Sequence, residues 1–312
     1  MSTALSLAGA VIGGAIAYFF WARAAVGAGW NALWFVAGVP IAFLAIPFLA
    51  SALWFTLSWR HRAPRPPHTR LGAAALPRIY VREALAIAGS VPRMIGYRWL
   101  MADPPAARAD LPVLLLHGVM CNAGVWHPVK RHLAARGIGP LYALSYGPPL
   151  ASIETFAEQA AAKIDAILEA TGAAQVVIVA HSMGGLVARA YLRRWGGAKV
   201  RRVITIGTPH CGSMLARGLP GRSLAQMRPG NAWLAGLARP AGDAATSAPP
   251  IVSLWSWHDS MVAPQTSSVL EHAENVALVG IAHNALLSHP EVFERVAAEI
   301  ERAAQPAPRG PA

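Results

Sequence analysis

A serine lies between an apolar run and a stretch that favours a helix, in the segment 180–185, which reads AHSMGG. The preceding run, 176–179, is rich in valine, as expected of a buried strand. A serine on a sharp strand-to-helix turn forms a nucleophile elbow. Such a turn needs small residues two positions before and after the serine, and Ala180 and Gly184 satisfy this need by avoiding a collision across the turn. The pattern predicts that Ser182 is a nucleophile, with an ordinary turn serine as the alternative.

A serine hydroxyl is a weak nucleophile unless a base removes its proton and an acidic group orients that base. Asp259 follows the strand-like run 251–257, and His283 follows the run 275–280. The order serine, acid, histidine along the chain is one in which such triads occur. We therefore predict Asp259 as the acid and His283 as the base. The alternatives are Asp243, Glu271 and Glu274 for the acid, and His272 and His289 for the base.

Acyl transfer at such a serine also needs two backbone N–H groups that stabilise the developing oxyanion. The first is the amide of Met183, directly after the serine. The second is expected from Val119, in the loop after the apolar run 112–116, where a glycine lets the backbone approach a substrate. Supporting roles around this site are assigned to His117, Gly118, His181 and Gly184.

From residue 111 onward, strand-like runs alternate with helix-like runs, which predicts a mostly parallel sheet with helices on both faces. Strands are expected at 112–116, 141–146, 175–179, 200–206, 251–257 and 276–279, and helices at 125–136, 153–170, 183–195 and 292–303. The two cysteines, Cys121 and Cys211, are too few for a disulfide framework, and we expect free thiols. No Cys–His spacing indicates a zinc site.

The region from about residue 111 to the last helix resembles the bacterial triacylglycerol lipase and esterase branch of the α/β-hydrolase superfamily. The resemblance is carried by LLLHG at 114–118, AHSMGG at 180–185, IGTPH at 206–210, MRPGN at 227–231, and the segments around Asp259 and His283. It implies an α/β-hydrolase fold and ester hydrolysis without a metal or organic cofactor. It also implies a lid insertion at about 212–250, whose apolar side chains either line an acyl pocket or pack on the sheet.

The N-terminal fifth of the chain is strongly apolar. Charged residues make up 13% of the whole chain, whereas about 25% is usual for a soluble domain. Residues 1–22 and 24–59 carry no charge, and Arg23 separates them. Each run is long enough for a membrane helix of about 20 residues. We predict a two-helix transmembrane hairpin over 1–59; a cleaved signal peptide and a pair of buried helices are the alternatives.

A basic linker and an amphipathic stretch follow over 60–108. Four arginines and several prolines occupy 60–70, and the stretch 78–101 is expected either to lie on the membrane or to pack on the catalytic domain. Because Lys and Arg are retained on the cytoplasmic side, the arginines after the second run predict a cytoplasmic catalytic domain on a multi-pass inner-membrane anchor. The catalytic domain is expected at 109–304 and a disordered tail at 305–312.

These residues predict a membrane-anchored serine hydrolase that cleaves carboxylic esters through Ser182, Asp259 and His283. The expected partners are a lipid or other ester substrate and the membrane. Although the net charge is +12, no nucleic-acid-binding motif accompanies it, and no nucleic-acid partner is expected. The alternatives are an acyltransferase or thioesterase with the same triad, and a non-catalytic membrane-tethered binding protein.

Overall fold

The computed structural model describes residues 3–237 and 248–305. The α-helices in these ranges are α1 (Thr3–Gly27), α2 (Ala32–Arg60), α3 (Ala75–Ile95), α4 (Tyr97–Leu100), α5 (His127–Ala135), α6 (Ile153–Thr171), α7 (Met183–Trp195), α8 (Arg222–Gln226), α9 (Ala232–Leu237) and α10 (Pro290–Ala304). The strands are β1 (Val113–Leu116), β2 (Leu141–Leu144), β3 (Val176–His181), β4 (Val200–Ile206), β5 (Ile251–Ser256) and β6 (Glu274–Leu278).

The described strands form one parallel sheet in the order β2-β1-β3-β4-β5-β6. Successive parallel strands need long crossover connections, and the helices between them supply these. The expected parallel sheet covered by helices is confirmed, with strand ends shifted by one or two residues. From β1 the chain adds β2 on one side and then returns to add β3 on the other side of β1. In such sheets, ligands bind outside the carboxyl ends of the strands at the position where the strand order reverses.

The central strands β1 and β3 are buried throughout, which explains why they are nearly continuous apolar runs. Alternate residues of β1 and β3 contribute to two separate cores, one beneath α6 and α7 and the other beneath α5 and α10. Helix α6 begins where the Ser152 side chain accepts a hydrogen bond from the Glu154 amide. It ends at Gly172, whose φ of 69° is a left-handed conformation that glycine adopts without strain.

The boundary between the two N-terminal helices lies further along the chain than the sequence predicts. Helix α1 continues through Arg23 to Gly27, so the expected break at Arg23 is wrong. The turn comes at Gly29, with a φ of 94°, and Asn31 then caps α2 by accepting from the Leu33 amide. Across the part of the chain that the structure describes, no single helix has the length and apolarity of a membrane span. Two portions of α2, Ala32–Ile41 and Ala45–Arg60, meet these criteria only together, with a bend of 42° between them.

The amphipathic stretch forms α3 and α4, and α3 packs on the catalytic region. Its buried side chains include Ile79, Glu83 and Ala84, which lie between α2 and the turns at 123–126 and 285–288. Of the two expectations for this stretch, packing on the catalytic region is therefore what the structure has. Leu85 on the opposite face is exposed.

The expected lid insertion contains the 3₁₀ turn Met214–Gly218 and the short helices α8 and α9. Its buried residues, among them Leu224 and Leu234, join the core beneath α6 and α7. Residues 238–247 of this insertion lie outside the described residues, as do 306–312 of the expected C-terminal tail.

Candidate active site

Ser182 occupies the sharp turn between β3 and α7. Its φ of 54° and ψ of −125° are unusual for a residue with a side chain, and strained conformations of this kind cluster at functional sites. The Ser182 amide donates to the Ile206 carbonyl at 2.9 Å, which attaches the turn to the end of β4. The side chain is 7% exposed. This is the local geometry that the motif predicts.

The requirement for glycine at position 184 has a different physical origin from the expected one. A Cβ atom on Gly184 would lie 2.3 Å from the Leu116 carbonyl oxygen and 2.8 Å from that of His117. The clash is therefore with the carboxyl end of β1, and not across the turn itself. Gly184 lets the first turn of α7 sit directly against the neighbouring strand.

Asp259 and His283 form a buried acid–base pair. His283 Nδ1 and Asp259 Oδ2 are 2.8 Å apart. The other carboxylate oxygen, Oδ1, accepts from the amides of Met261 at 2.8 Å and Val262 at 2.7 Å. These two amides hold the carboxylate in place, and the Nδ1 contact leaves Nε2 of the imidazole for a reacting group.

The charged surroundings of His283 favour its protonated form. Burial by itself lowers the pKa of His283, but the Asp259 carboxylate, through its charge and its hydrogen bond, and the charge of Glu83 more than offset this. The net result is a pKa raised above the usual 6.5. Such surroundings would stabilise an imidazolium formed when His283 accepts a proton.

Ser182 and His283 line the same cavity, which has a volume of about 50 Å³. Most of the lining is apolar and includes Trp54 of α2, Val119 and Leu219. Ser182 and His283 thus face one small, largely apolar space.

The two expected oxyanion donors lie on elements next to Ser182. Met183 is the first residue of α7, and Val119 lines the cavity. Gly118 packs so closely that a Cβ atom there would lie 3.0 Å from Ser182 Cβ. Among the described residues, neither the Met183 nor the Val119 amide has a hydrogen-bond acceptor. Both amides are thus free to bind an anionic oxygen.

The two supporting histidines are buried and neutral. Burial lowers the pKa of His117 to about 4, although its hydrogen bond to the Gly118 carbonyl raises it slightly. The His117 ring also stacks on Tyr146 with a centroid separation of 3.9 Å. Burial likewise lowers the pKa of His181 well below 6.5, and its Nε2 lies 3.2 Å from the His283 carbonyl oxygen. Both residues order the loops of the site rather than exchange protons at neutral pH.

The alternative acids and bases lie elsewhere. Glu271 and His272 are almost fully exposed, and Glu274 pairs with Arg302. His289 precedes α10 without forming a side-chain cap. Asp243 lies outside the described residues.

Three residues near the site were missed from the sequence: Gly207, Glu83 and Ser260. A Cβ atom on Gly207 would lie 3.1 Å from Asp259 Oδ2 and 3.3 Å from His283 Nδ1, so this glycine gives the pair room. Glu83 binds the segment that carries His283, partly through Ser260. The sequence does contain an indication that Glu83 has a special role, because it is the only acidic residue in the first 102 positions.

Two further expectations concern metals and thiols. Within 3–237 and 248–305, no group of His, Cys, Asp and Glu side chains is arranged to hold a metal ion. Cys121 and Cys211 are both free. Burial raises the pKa of the Cys121 thiol to about 12, which makes it a poor nucleophile.

Parts of this chain are similar to known proteins. Residues 113–308 match the alpha/beta hydrolase family. A triacylglycerol lipase of Burkholderia plantarii is 32% identical over 135 residues, covering 38% of this chain and 36% of that protein. One of Pseudarthrobacter phenanthrenivorans is 33% identical over 127 residues, covering 37% and 38%. The matched segment thus spans less than two fifths of the length of these relatives.

Solved structures show the same fold. The mature form of Bacillus licheniformis lipase BlEst2 superposes with a TM-score of 0.55 and 17% identity, covering 64% of this chain and 96% of that one. Aspergillus fumigatus lipase B superposes with a TM-score of 0.54 and 19% identity, covering 62% and 52%. At these identities the likeness is one of fold alone.

Proposed function

The chain belongs to the alpha/beta hydrolase family, and on that premise we propose that it is a serine hydrolase that cleaves carboxylic esters. The observation that carries the proposal is the buried pairing of Asp259 with His283, at 2.8 Å, beside a cavity that Ser182 also lines. The partial similarity to two triacylglycerol lipases supports an ester as the substrate.

In the proposed reaction, His283 Nε2 takes the hydroxyl proton of Ser182 as Oγ attacks the ester carbonyl carbon. The carbonyl electron pair moves to the oxygen, which the amides of Val119 and Met183 stabilise. When the tetrahedral intermediate collapses, the ester C–O bond breaks and the imidazolium protonates the leaving alcohol. Water, deprotonated by His283, then attacks the acyl carbon. The bond from that carbon to Ser182 Oγ breaks, the imidazolium returns its proton to Oγ, and the carboxylic acid is released. Asp259 holds the imidazole in position throughout.

We further propose an apolar acyl group and a membrane lipid or related ester as substrate. The cavity lining is apolar, and Trp54 contributes to it from α2, one of the two N-terminal apolar helices. Helices α1 and α2 expose many large apolar side chains, including Phe19, Phe20 and Trp34. A lipid bilayer would cover these side chains, which favours α1 and α2 as a membrane anchor.

The esterase proposal is tested with the full-length protein and two serine variants. A fluorophosphonate probe should label the wild type and inactivate its hydrolysis of p-nitrophenyl butyrate. Ser182→Ala should abolish both labelling and hydrolysis, whereas Ser90→Ala should change neither, since the Ser90 hydroxyl bonds only to its own helix. Unimpaired hydrolysis by Ser182→Ala would refute the proposal. Faster turnover of acyl-CoA than of any oxygen ester would indicate a thioesterase instead.

The proposed anchor places the catalytic region on the cytoplasmic side of the inner membrane. Its basis is the contrast between Arg23 before α2 and the arginines at 60, 62, 65 and 70 after it. Fusions after Ala75 test this orientation: a fluorescent GFP fusion and an inactive alkaline phosphatase fusion are expected. The reverse pattern would place the catalytic region outside. Extraction of the full chain by alkaline carbonate would argue against an integral anchor.

A further inference from the structure

Glu83 is a carboxylate that the proposed mechanism does not use, and it is fully buried in the middle of α3. Burying a charged side chain is costly unless hydrogen bonds compensate it. Four groups donate to this carboxylate. They are Ser260 Oγ at 2.8 Å and Asn284 Nδ2 at 2.8 Å to Oε1, the Ala285 amide at 2.9 Å to Oε2, and the Asn284 amide at 3.0 to 3.1 Å to both oxygens.

Two of the donor residues directly follow the members of the acid–base pair in the sequence. Asn284 directly follows His283, and Ser260 directly follows Asp259. Ser260 Oγ in addition accepts from the His283 amide at 3.4 Å. The amide of Ala285 is the first of the 3₁₀ turn Ala285–Ser288, and amides at the start of a helical turn lack partners within it. A single carboxylate thus joins the segment that carries His283 to the segment that carries Asp259.

Helix α3 also contacts the loop that carries Val119. Asn122 Nδ2 donates to the Met94 carbonyl at 2.8 Å, and a Cβ atom on Gly124 would lie 2.1 Å from the Arg93 carbonyl oxygen. The helix is therefore pressed against two of the loops that surround Ser182. It precedes residues 113–308, the part of the chain that matches the family.

We infer that Glu83 is a positioning residue that holds the proposed base, His283, from a helix outside the family-matched region. The inference rests on the proposed function. In this arrangement the α/β-hydrolase region does not hold its own base loop in place unaided. Any displacement of α3 is transmitted to His283 through Glu83, and a shift of about 1 Å at a reacting group can slow catalysis about 100-fold.

Glu83 also acts on His283 through its charge. The ionisable groups that face His283 are the carboxylates of Asp259 and Glu83 and the neutral imidazole of His181. Burial lowers the pKa of His283, Asp259 raises it most, and Glu83 raises it further. Because His283 acts as a base only when neutral, removing the Glu83 charge should extend activity to lower pH. This shift is a signature that a purely structural residue would not produce.

The test compares Glu83→Gln with Glu291→Gln in the full-length protein, using p-nitrophenyl butyrate over a range of pH. Glutamine places an NH₂ group where every partner of Glu83 is itself a donor, so the base segment should shift. We expect kcat to fall about 10- to 100-fold with KM within about twofold. The acid limb of kcat/KM should also move to lower pH. Glu291→Gln makes the same change at an exposed carboxylate and should leave both quantities unchanged.

Ser260→Ala provides the second variant, since it removes only the hydroxyl that connects Glu83 with the His283 amide. It should lower kcat several-fold without moving the acid limb, because both carboxylates remain. The inference would be overturned if Glu83→Gln had the kcat and the acid limb of the wild type. If Glu83→Gln fails to fold, a wild-type kcat in Ser260→Ala would overturn it. A wild type that is neither labelled by fluorophosphonate nor active on esters would refute the proposed function instead, which separates the two failures.

Discussion

The N-terminal helices and the sheet region differ in how far their large apolar side chains are exposed to solvent. In α1 and α2 many of the described large apolar residues are exposed: Trp34 is 73% and Leu33 72% exposed. In the sheet region the central strands are enclosed, and Leu115 and Ile178 are fully buried. Exposed apolar surface of this extent indicates an interaction site, whereas the sheet region buries its own core. The sheet region therefore covers its apolar side chains by its own packing, whereas the two helices leave many of theirs accessible to a partner.

Some of the contacts where the two regions meet are nevertheless polar. Ser58, near the end of α2, donates from its hydroxyl to the Asp259 carbonyl at 3.1 Å. It also accepts from Gln265 Nε2 at 3.0 Å. With Glu83, these groups form a buried polar interface directly behind the acid–base pair. Because buried hydrogen bonds are directional and costly to break, this interface specifies one docked arrangement of the helices on the sheet region.

The sharpest test within the sheet region itself is replacement of the base. His283→Ala should lower kcat by roughly 10⁴- to 10⁶-fold, since the members of a triad act as a unit. His289→Ala, six residues later, should retain kcat within about twofold, because its side chain has no contact with Asp259 among the described residues. Steady-state kinetics on a p-nitrophenyl ester measures both. If His289→Ala were the more damaging variant, the base would be misassigned.

Shortening the chain tests whether the sheet region is sufficient alone. A variant that starts at residue 104 keeps the whole of 113–308 but lacks Ser58 and Glu83. We expect kcat to fall at least about 100-fold, since the base segment loses its buried acceptor. Deletion of residues 2–30 alone should keep kcat within about threefold, because α1 packs mainly on α2 and α3. Full activity of the variant that starts at residue 104 would show that the N-terminal helices serve only as an anchor.

Acid should destabilise the sheet region through the buried histidines whose pKa values are lowered. The pKa of His117 is lowered to about 4 by burial, so its neutral form is favoured in the folded state. Between about pH 6.5 and pH 4 the unfolded chain binds more protons, and stability falls as the pH decreases. For His117 the loss is at most about 3 kcal/mol. His61 and His68, in the linker, are exposed.

Urea unfolding at pH 7 and pH 5 measures this effect. His258 has a pKa lowered to about 4, mainly by burial, and its Nδ1 accepts from the Gly280 amide. His258→Gln can keep an acceptor there without titrating, so it should reduce the loss of stability at pH 5. His68→Gln should leave the loss as in the wild type. Equal pH dependence in all three proteins would mean that His258 is not held neutral in the fold.

The smallest expected effect belongs to the Ser58 hydroxyl. Ser58→Ala removes one of two donors to the Asp259 carbonyl, while Gln265 Nε2 remains bonded to it at 3.0 Å. The variant also removes the acceptor for Gln265 Nε2, and loss of these two buried hydrogen bonds should cost about 1 to 2 kcal/mol of unfolding free energy. Thr56→Ala on the same helix is the control, since its hydroxyl is exposed and bonds only to Ala52 of its own helix. Equal unfolding free energies for the two variants would show that Ser58 does not hold the interface.

Much of the sheet region could be predicted because its signals are local. Continuous apolar runs identified each strand, and small residues around Ser182 identified the turn that carries it. The candidate acid and base were found by their positions directly after strands, since parallel strands bring their carboxyl ends to one edge of a sheet. The order of the strands and the role of Gly184 against β1 were not local, and neither followed from the pattern.

In the N-terminal region, less could be predicted from the sequence and more was decided by the tertiary structure. Its apolar composition alone indicated two helices and an affinity for an apolar environment, because these depend on the residues themselves. Whether α3 lies on a lipid surface or on the catalytic region depended on which partner its buried face meets. Only the tertiary structure placed Glu83 of that face against Asn284, about 200 positions later in the chain. A buried carboxylate is tolerable only where several donors converge on it, and such convergence is a property of the assembled fold.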